Sequence, residues 1–257
     1  NLVARPIDGP HHMGGGHATH VVFGRLSAED DHEVDRLIRH VPTLPEVGGS
    51  SRAPQRPDNY DRRMASDPRF LTHHALRIKG FAKVETLAEI VDLEHGTIEG
   101  NLRSMEQEQL AMFREARALW QLTPAGKAAH PELLAADVAG SDLAKLGSVY
   151  ANFLELNDAF KQLCGDWQLR DGAPNDHSDA AYDKKVVARL ADLNGEAQPV
   201  VTGMAGVIPR LSPYAPRLVT TCRLVQEGQH NMFTGVMCGS FHDVWMELHE
   251  DLILTQG

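Results

Sequence analysis

Residues 73–134 decide the fold, and they read HHALRIKGFAKVETLAEIVDLEHGTIEGNLRSMEQEQLAMFREARALWQLTPAGKAAHPELL. Apolar residues return at helical spacing in three short runs, at 75–81, 87–93 and 98–105. Gly80 interrupts the end of the first run, where the end of a helix favours glycine. The stretch therefore predicts three helices in close succession.

The link between the second and third runs is short and polar. It spans residues 92–96 and contains one glycine, as the turn of a helix-turn-helix requires. Two strand-like runs at 112–114 and 119–122 then flank residues 115–118 and predict a β-hairpin. Thr123 and Pro124 follow as the N-cap and first residue of a closing helix. Together these elements predict a winged helix-turn-helix domain at residues 67–139.

The opening HHALRIKGFA and the closing LTPAGKAAH of this stretch resemble the winged-helix domains of MarR-type regulators. The run LTPAG at residues 122–126 is the most specific part of the likeness. It covers about a quarter of the chain. The resemblance implies a winged helix that usually works as a DNA-binding dimer.

The charges of this domain bear on DNA binding, because cations must neutralise phosphates. Residues 71–130 hold seven Lys and Arg against eight Asp and Glu, and the presumed recognition helix at 94–109 holds four Glu against one Arg. A protein-contact or dimerisation module is therefore the alternative to a DNA reader. The polar candidates for nucleic-acid contact are Thr97, Asn101, Arg103 and Ser104 on that helix, and Arg114 and Arg117 on the hairpin.

Composition places the chain among globular cytoplasmic proteins. It has 257 residues, 42% of them hydrophobic and 23% charged, and no apolar run long enough to span a membrane. The net charge of −10 argues against broad non-specific affinity for nucleic acid or anionic lipid. Three scattered cysteines, Cys164, Cys222 and Cys238, indicate reduced thiols and no disulfide framework.

Residues 1–66 are predicted to be an irregular N-terminal segment. The stretch at 42–57 is rich in Pro, Gly and Ser, as in a linker. Four histidines, at His11, His12, His17 and His20, could bind a metal ion, because imidazole is a common ligand. A Gly/His-rich loop without a metal is the alternative interpretation.

Residues 140–257 are predicted to form a C-terminal helical bundle, so the fold class is mainly α. A cap at Asp176 or Ser178 is expected to open a second long helix, and a capping box at 240–243 opens the last one, at 241–255. The first long helix carries one apolar stripe, formed by Leu143, Leu146, Val149, Phe153, Leu156, Phe160 and Leu163.

Four blocks of this region carry a second resemblance: FLELNDAFKQLCGDWQLR, NDHSDAAYDKKVVARL, SPYAPRL and SFHDVWMELHEDL. They resemble a C-terminal helical module of actinobacterial proteins, which include MarR-type regulators and pyruvate phosphate dikinase-like, phosphoenolpyruvate-utilising proteins. Residues 15–20, GGHATH, only loosely echo the phosphohistidine motif of the dikinases, and no nucleotide-grasp domain or barrel is recognised. The resemblance therefore does not imply autonomous dikinase activity.

Polar residues of these blocks are the candidates for a ligand or divalent-metal site. His, Asp and Glu side chains suit a divalent cation, and the histidines also suit an anionic ligand. Helix caps and buried hydrogen-bonded histidines are the alternative. The candidates are Asp176, His177, Asp179 and Asp183 in one block, and His242, Glu247 and His249 in another.

Three hypotheses for the function remain open at this stage. The first is a winged-helix regulator that binds DNA as a homodimer, with a C-terminal domain that dimerises or senses a ligand. The second is a non-DNA-binding accessory subunit of a phosphoenolpyruvate-utilising or other enzyme complex. The third is a metal-dependent enzyme built on the histidines. None of the three involves a membrane.

Overall fold

The computed structural model describes residues 66–256, which belong to one compact unit of the chain. The predicted irregular segment, with its four histidines and its linker, lies outside the described residues, apart from Ser66. The described part is mainly helical and contains a small antiparallel sheet. Among these residues, no helix is both long and apolar enough to cross a membrane.

Three helices open the described part, as the sequence predicts. They are α1 (Pro68–Lys79), α2 (Val84–Val91) and α3 (His95–Gln107). The Asp67 side chain caps α1, and Gly80 ends it with a φ of 78° that a residue with a Cβ rarely adopts. Asp92 takes the left-handed conformation in the turn between α2 and α3.

The predicted hairpin is also confirmed, as β2 (Ala111–Arg114) and β3 (Leu119–Leu122) joined by a 3-10 turn. The sequence did not indicate a third strand, β1 (Phe81–Ala82), which pairs with the other edge of β3. Gln121 of β3 therefore faces Phe81 on one side and Met112 on the other. The sheet anchors the hairpin to the chain between α1 and α2.

The residue types of the LTPAG run are explained by the way α4 begins. Thr123 accepts a hydrogen bond from the Gly126 N–H and donates one to the Gln109 carbonyl, and Pro124 begins α4 (Pro124–Asp137). A Cβ at position 126 would lie 2.0 Å from the Leu110 carbonyl oxygen. Glycine at this position therefore lets α4 start directly against the chain between α3 and β2.

The remaining helices form the C-terminal part. Its core is apolar and separate from the core under α1 to α3. Trp167, Trp245 and Cys164 are buried in this core, as the sequence predicts. Burial raises the pKa of the Cys164 thiol to about 12. The helices are α5 (Leu143–Gln168), α6 (Ala180–Ala205), α7 (Tyr214–Gln226), α8 (Asn231–Thr234) and α9 (Phe241–Gln256).

Three local expectations for this part need correction. Asp179 caps α6, rather than Asp176 or Ser178, because its carboxylate accepts from the N–H groups of Ala181 and Tyr182. The expected turn before α6 includes a two-stranded ribbon, β4 (Leu169–Arg170) with β5 (Ala173–Pro174). In the capping box, Ser240 accepts from the Asp243 N–H, but Asp243 bonds the N–H groups of Cys238 and Gly239, which lie farther back.

Candidate functional site

A buried arginine lies where the C-terminal helices meet α4. Arg210 follows Pro209 in a 3-10 turn, and its side chain is only 1% exposed. Its guanidinium donates to Asp137 of α4 at 2.7 Å, to Asp251 of α9 at 2.9 Å, and to the Thr255 hydroxyl. Charge-assisted bonds of this kind are the stronger class of hydrogen bond. Arg210 therefore holds α4 and α9 together.

Two buried histidines extend this group to α1. The Nδ1 atom of His74 lies 2.8 Å from Nε2 of His130 on α4, and its Nε2 atom lies 3.0 Å from Oδ1 of Asp251. The His74 and His130 rings also stack, with centroids 5.1 Å apart, and His73 stacks on His130 from α1. We call the five residues His74, His130, Asp137, Arg210 and Asp251 the junction network.

Acidic residues of α9 make further contacts along the same junction. The Glu247 carboxylate lies 2.8 Å from Lys79 of α1 and 2.7 Å from Arg217 of α7. The Tyr214 hydroxyl donates to Asp251, at 3.2 Å. Because these contacts are buried or nearly so, water screens them less than it screens surface ion pairs. The orientation of α1 is thus tied to α9 at several points.

The surroundings set the protonation of the junction network. Burial, together with His74 and His73, lowers the pKa of His130 to about 3, so its ring is neutral at neutral pH. Burial alone would raise the pKa of Asp251, but His74 and Arg210 outweigh it and hold that pKa well below its usual range. Burial and the adjacent Asp251 raise the pKa of Tyr214. Asp251 is therefore ionised within the network.

We expect acidification to destabilise the protein through His130. The unfolded chain binds a proton there near pH 6.5, whereas the folded chain resists protonation until about pH 3. The stability from neutral His130 is complete above pH 6.5 and is lost as the pH falls toward 3. Between pH 6.5 and about pH 5, the free energy of unfolding of the wild type should fall by about 1.5 kcal/mol more than that of a His130→Phe variant. Urea titrations of both proteins at the two pH values measure this difference. Equal losses in the two proteins would contradict a neutral buried His130.

A cavity of about 940 Å³ lies beside the junction network. Its described lining comes from α1, the end of α3, α4, the start of α5 and the segment before Arg210. His73 lies in its wall and is 1% exposed, and neither ring nitrogen has a hydrogen-bond partner of normal geometry among residues 66–256. Burial lowers the pKa of His73, and the nearby Gly126 backbone only partly offsets this. The imidazole of His73 is therefore neutral at neutral pH, and its ring nitrogens are buried within the wall.

Two of the four nucleic-acid candidates on α3 are engaged inside the molecule. The Asn101 amide donates to the Pro68 carbonyl and to the Thr72 hydroxyl, which fastens α3 to α1. Ser104 donates to Glu108 and accepts from Arg69 of α1. Thr97 and Arg103 remain exposed on the outer face of α3.

The arginine candidates each have a neighbour. The Arg103 side chain is 65% exposed, yet it lies 3.5 Å from Glu106, and its guanidinium lies 5.5 Å from the centre of the Trp120 ring. Arg114 is exposed at the end of β2 and lies 3.2 Å from the Gln121 side-chain oxygen in the amide orientation that satisfies both groups. Arg117, in the 3-10 turn of the hairpin, is half-buried.

The first block of ligand or metal candidates forms a local turn before α6. Asp176 accepts from the Ser178 N–H, and Asp179 caps α6 and pairs with Arg170 at 3.0 Å. Nδ1 of His177 lies 3.0 Å from the buried carboxylate of Asp183. Each of the four side chains thus has a nearby partner that organises the start of α6.

The second block divides between two sides of α9. The rings of His242 and His249 pack against Phe160 and Phe153 of α5, whereas Glu247 pairs with Lys79 and Arg217. Within the described part of the chain, no three His, Cys, Asp or Glu side chains are arranged to hold a metal ion. The geometry therefore gives these residues packing and ion-pair contacts.

Sequence reasoning did not identify the junction network or His73. A weak signal was present, because Glu247 and Asp251 stand four residues apart on α9 and share a face with buried Leu248. Acidic residues on an inward stripe imply buried cations. Their arginine partners come from positions 30 or more residues away: Arg217 and Glu247 are 30 apart, and Arg210 and Asp251 are 41 apart. Local spacing does not carry that information.

The junction network, the adjacent cavity and the outer face of α3 are the features that bear on function. They involve α1, α3, α4, the start of α5, the 3-10 turn with Arg210 and α9, so both ends of the described part contribute to them. The chain was compared with protein-family models, with curated proteins and with solved structures. No family model, curated protein or solved structure matches it.

Proposed function

We propose that this chain is a cytoplasmic winged-helix regulator, acting as a homodimer, in which α3 and the β2–β3 hairpin contact DNA and the C-terminal helices sense a ligand. The observation that carries the proposal is the pairing of an exposed α3 face with an adjoining antiparallel hairpin. A helix of this kind can enter the major groove while the hairpin reaches the phosphate backbone. Of the four contact candidates on α3, Thr97 and Arg103 are exposed.

The junction network supports a regulatory function. Arg69 of α1 lines the cavity and also bonds Ser104 of α3 and Glu108 directly after it, so the cavity wall contacts the presumed reading helix. Through His74 and Asp251, α1 is also linked to α9. A chain of contacts through α1 therefore connects the C-terminal helices with α3, which could carry coupling between them.

Binding to random duplex DNA at increasing salt tests the DNA part of the proposal. Arg103→Ala with Arg114→Ala should weaken binding and reduce the slope of log affinity against log salt by about 2, because each lost phosphate contact removes roughly 0.9. The matched control is Arg189→Ala with Arg223→Ala, which removes two exposed, ion-paired arginines of α6 and α7. The control should leave the slope unchanged.

Two results would contradict DNA as the partner. One is the absence of any binding at low salt. The other is an equal loss in the Arg103/Arg114 variant and in the Arg189/Arg223 control, because general charge would then explain the affinity.

The acidic character of α3 favours a second candidate function, that of an accessory subunit that contacts an enzyme. Glu94 and Glu99 are exposed there, and Asn101 and Ser104 are already engaged. Such a face suits a basic protein surface. Co-purification with a phosphoenolpyruvate-utilising or other enzyme, lost in a Glu94→Lys, Glu99→Lys variant, would support it. Unchanged co-purification in that variant would exclude α3 as the contact.

A further inference from the structure

The described lining of the cavity is acidic on balance. Its charged residues are the carboxylates of Asp67, Glu108, Asp137 and Asp142 and the cations of Arg69 and Lys145. Arg69 pairs with Glu108, and Arg210, which lies outside the lining, pairs with Asp137. Asp67 and Asp142 cap α1 and α5, but bonds from backbone N–H groups leave their negative charges in place. A cationic group would therefore be favoured inside the cavity.

The described part of the chain begins in the wall of this cavity. Ser66 and Asp67, which directly precede α1, both line it. The residues before Ser66 are therefore attached at the cavity, which keeps them there at a high effective concentration. Four residues of extended chain span roughly 13 Å, which is comparable with the width of a cavity of about 940 Å³. A short segment is thus long enough to reach across it.

The chemistry of the attached segment matches the wall. Residues 60–65 read YDRRMA, so Arg62 and Arg63 give the segment a net positive charge. Tyr60 and Met64 add two large side chains with apolar surface. The wall offers apolar partners for them, which are Phe70, Leu110, Leu133, Val207, Ile208 and Pro209.

We propose that residues 60–65 of this chain occupy the cavity, with Arg62 and Arg63 facing Asp67 and Asp142 and with Tyr60 and Met64 against the apolar wall. A small molecule must then displace the segment to enter, so the segment competes with any ligand that the cavity binds. The inference goes beyond the proposed function. Its test contains no nucleic acid, so this proposal and the DNA proposal can fail independently.

Cross-linking of introduced cysteines in the full chain tests where the segment lies. Met64→Cys is combined either with Leu133→Cys in the wall or with Leu154→Cys, which lies on α5 outside the described lining. Leu133 and Leu154 are 37% and 40% exposed, so the two positions are similarly accessible. Both variants also carry Cys238→Ser, because the other two native cysteines are buried. With a short bismaleimide, we expect the Leu133 variant to cross-link within one chain about tenfold faster than the Leu154 variant.

Two charge variants, made in the Leu133 variant, test what holds the segment. Asp142→Asn removes a carboxylate of the wall but keeps a side chain that caps α5, and it should slow cross-linking about threefold. Arg62→Gln with Arg63→Gln should slow it about fivefold, because two ion pairs are lost. The matched control is Lys184→Gln with Lys185→Gln, which removes two adjacent, exposed cations of α6 outside the described lining. The control should leave the rate unchanged.

Three results would overturn the proposal. The first is an equal rate in the Leu133 and Leu154 variants. The second is cross-linking only between two chains, which would place the segment of a second copy in the cavity. The third is a rate that neither charge variant changes, because the acidic wall would then not hold the segment. Circular dichroism of each variant shows whether its helical content is retained, so that a misfolded chain is not counted.

Discussion

Replacing Arg210 by methionine should lower the free energy of unfolding by about 3–5 kcal/mol, because it breaks a buried ion pair by removing one partner. The side chains of Arg210, Asp137 and Asp251 are all less than 10% exposed. Without the guanidinium, Asp137 loses its ion pair, and Asp251 keeps only His74 and the hydroxyls of Tyr214 and Thr255 as neighbours. Urea unfolding followed by circular dichroism measures the loss.

Arg223 provides the matched control for this change. It lies on α7, is 58% exposed and pairs with Glu227, the residue directly after that helix. Exposed pairs of this kind contribute at most about 1 kcal/mol, so Arg223→Met should have a small effect. Similar losses in the two variants would mean that the junction network contributes no more than a surface ion pair.

A Gly126→Ala substitution is the second large effect that we expect. The added Cβ would lie 2.0 Å from the Leu110 carbonyl oxygen and 2.9 Å from its carbonyl carbon. Both atoms belong to the backbone, so no side-chain rotation relieves the overlap, and α4 must move away from the chain before β2. We expect a loss of about 3 kcal/mol or more in the free energy of unfolding, at the upper end of overpacking costs.

Gly100→Ala is the matched control, because the same substitution should stabilise the protein at this position. Gly100 lies inside α3, is exposed, and has open space around the position of a Cβ. Alanine should stabilise the protein by about 0.5–1 kcal/mol, because it reduces the freedom of the unfolded chain and favours the helix. If both variants shifted the urea midpoint in the same direction, the close contact at Gly126 would not explain its residue type.

Several elements of the fold could be predicted from the local sequence pattern. The end of α1 at Gly80, the hairpin at 111–122 and the Thr123 cap all follow from rules that act over a few residues, and all three are confirmed. The LTPAG run was also recognised as a distinctive signal. Its physical cause was not, because the carbonyl that excludes a Cβ belongs to Leu110, outside the run.

The residues predicted to form a ligand or metal site do not form one cluster in the structure, for a related reason. Asp176, Asp179 and Asp183 stand near one another in sequence, and caps or short-range contacts account for them. His242 and Glu247 share a helix, yet the packing of α5 on one side and of α1 with α7 on the other sends them to different neighbours. Spacing along a helix predicts a face only after the packing of that helix is known.

Periodicity, capping residues and glycines were enough to predict a mainly helical fold with three successive short helices, a hairpin and a long C-terminal helical part. These features depend on interactions within a few residues, which a linear sequence displays directly. The junction network and the buried imidazole of His73 arose only when α1, α4 and α9 came together. Their partners are distant along the chain, and burial changes the protonation of a histidine only after the surrounding helices have excluded water.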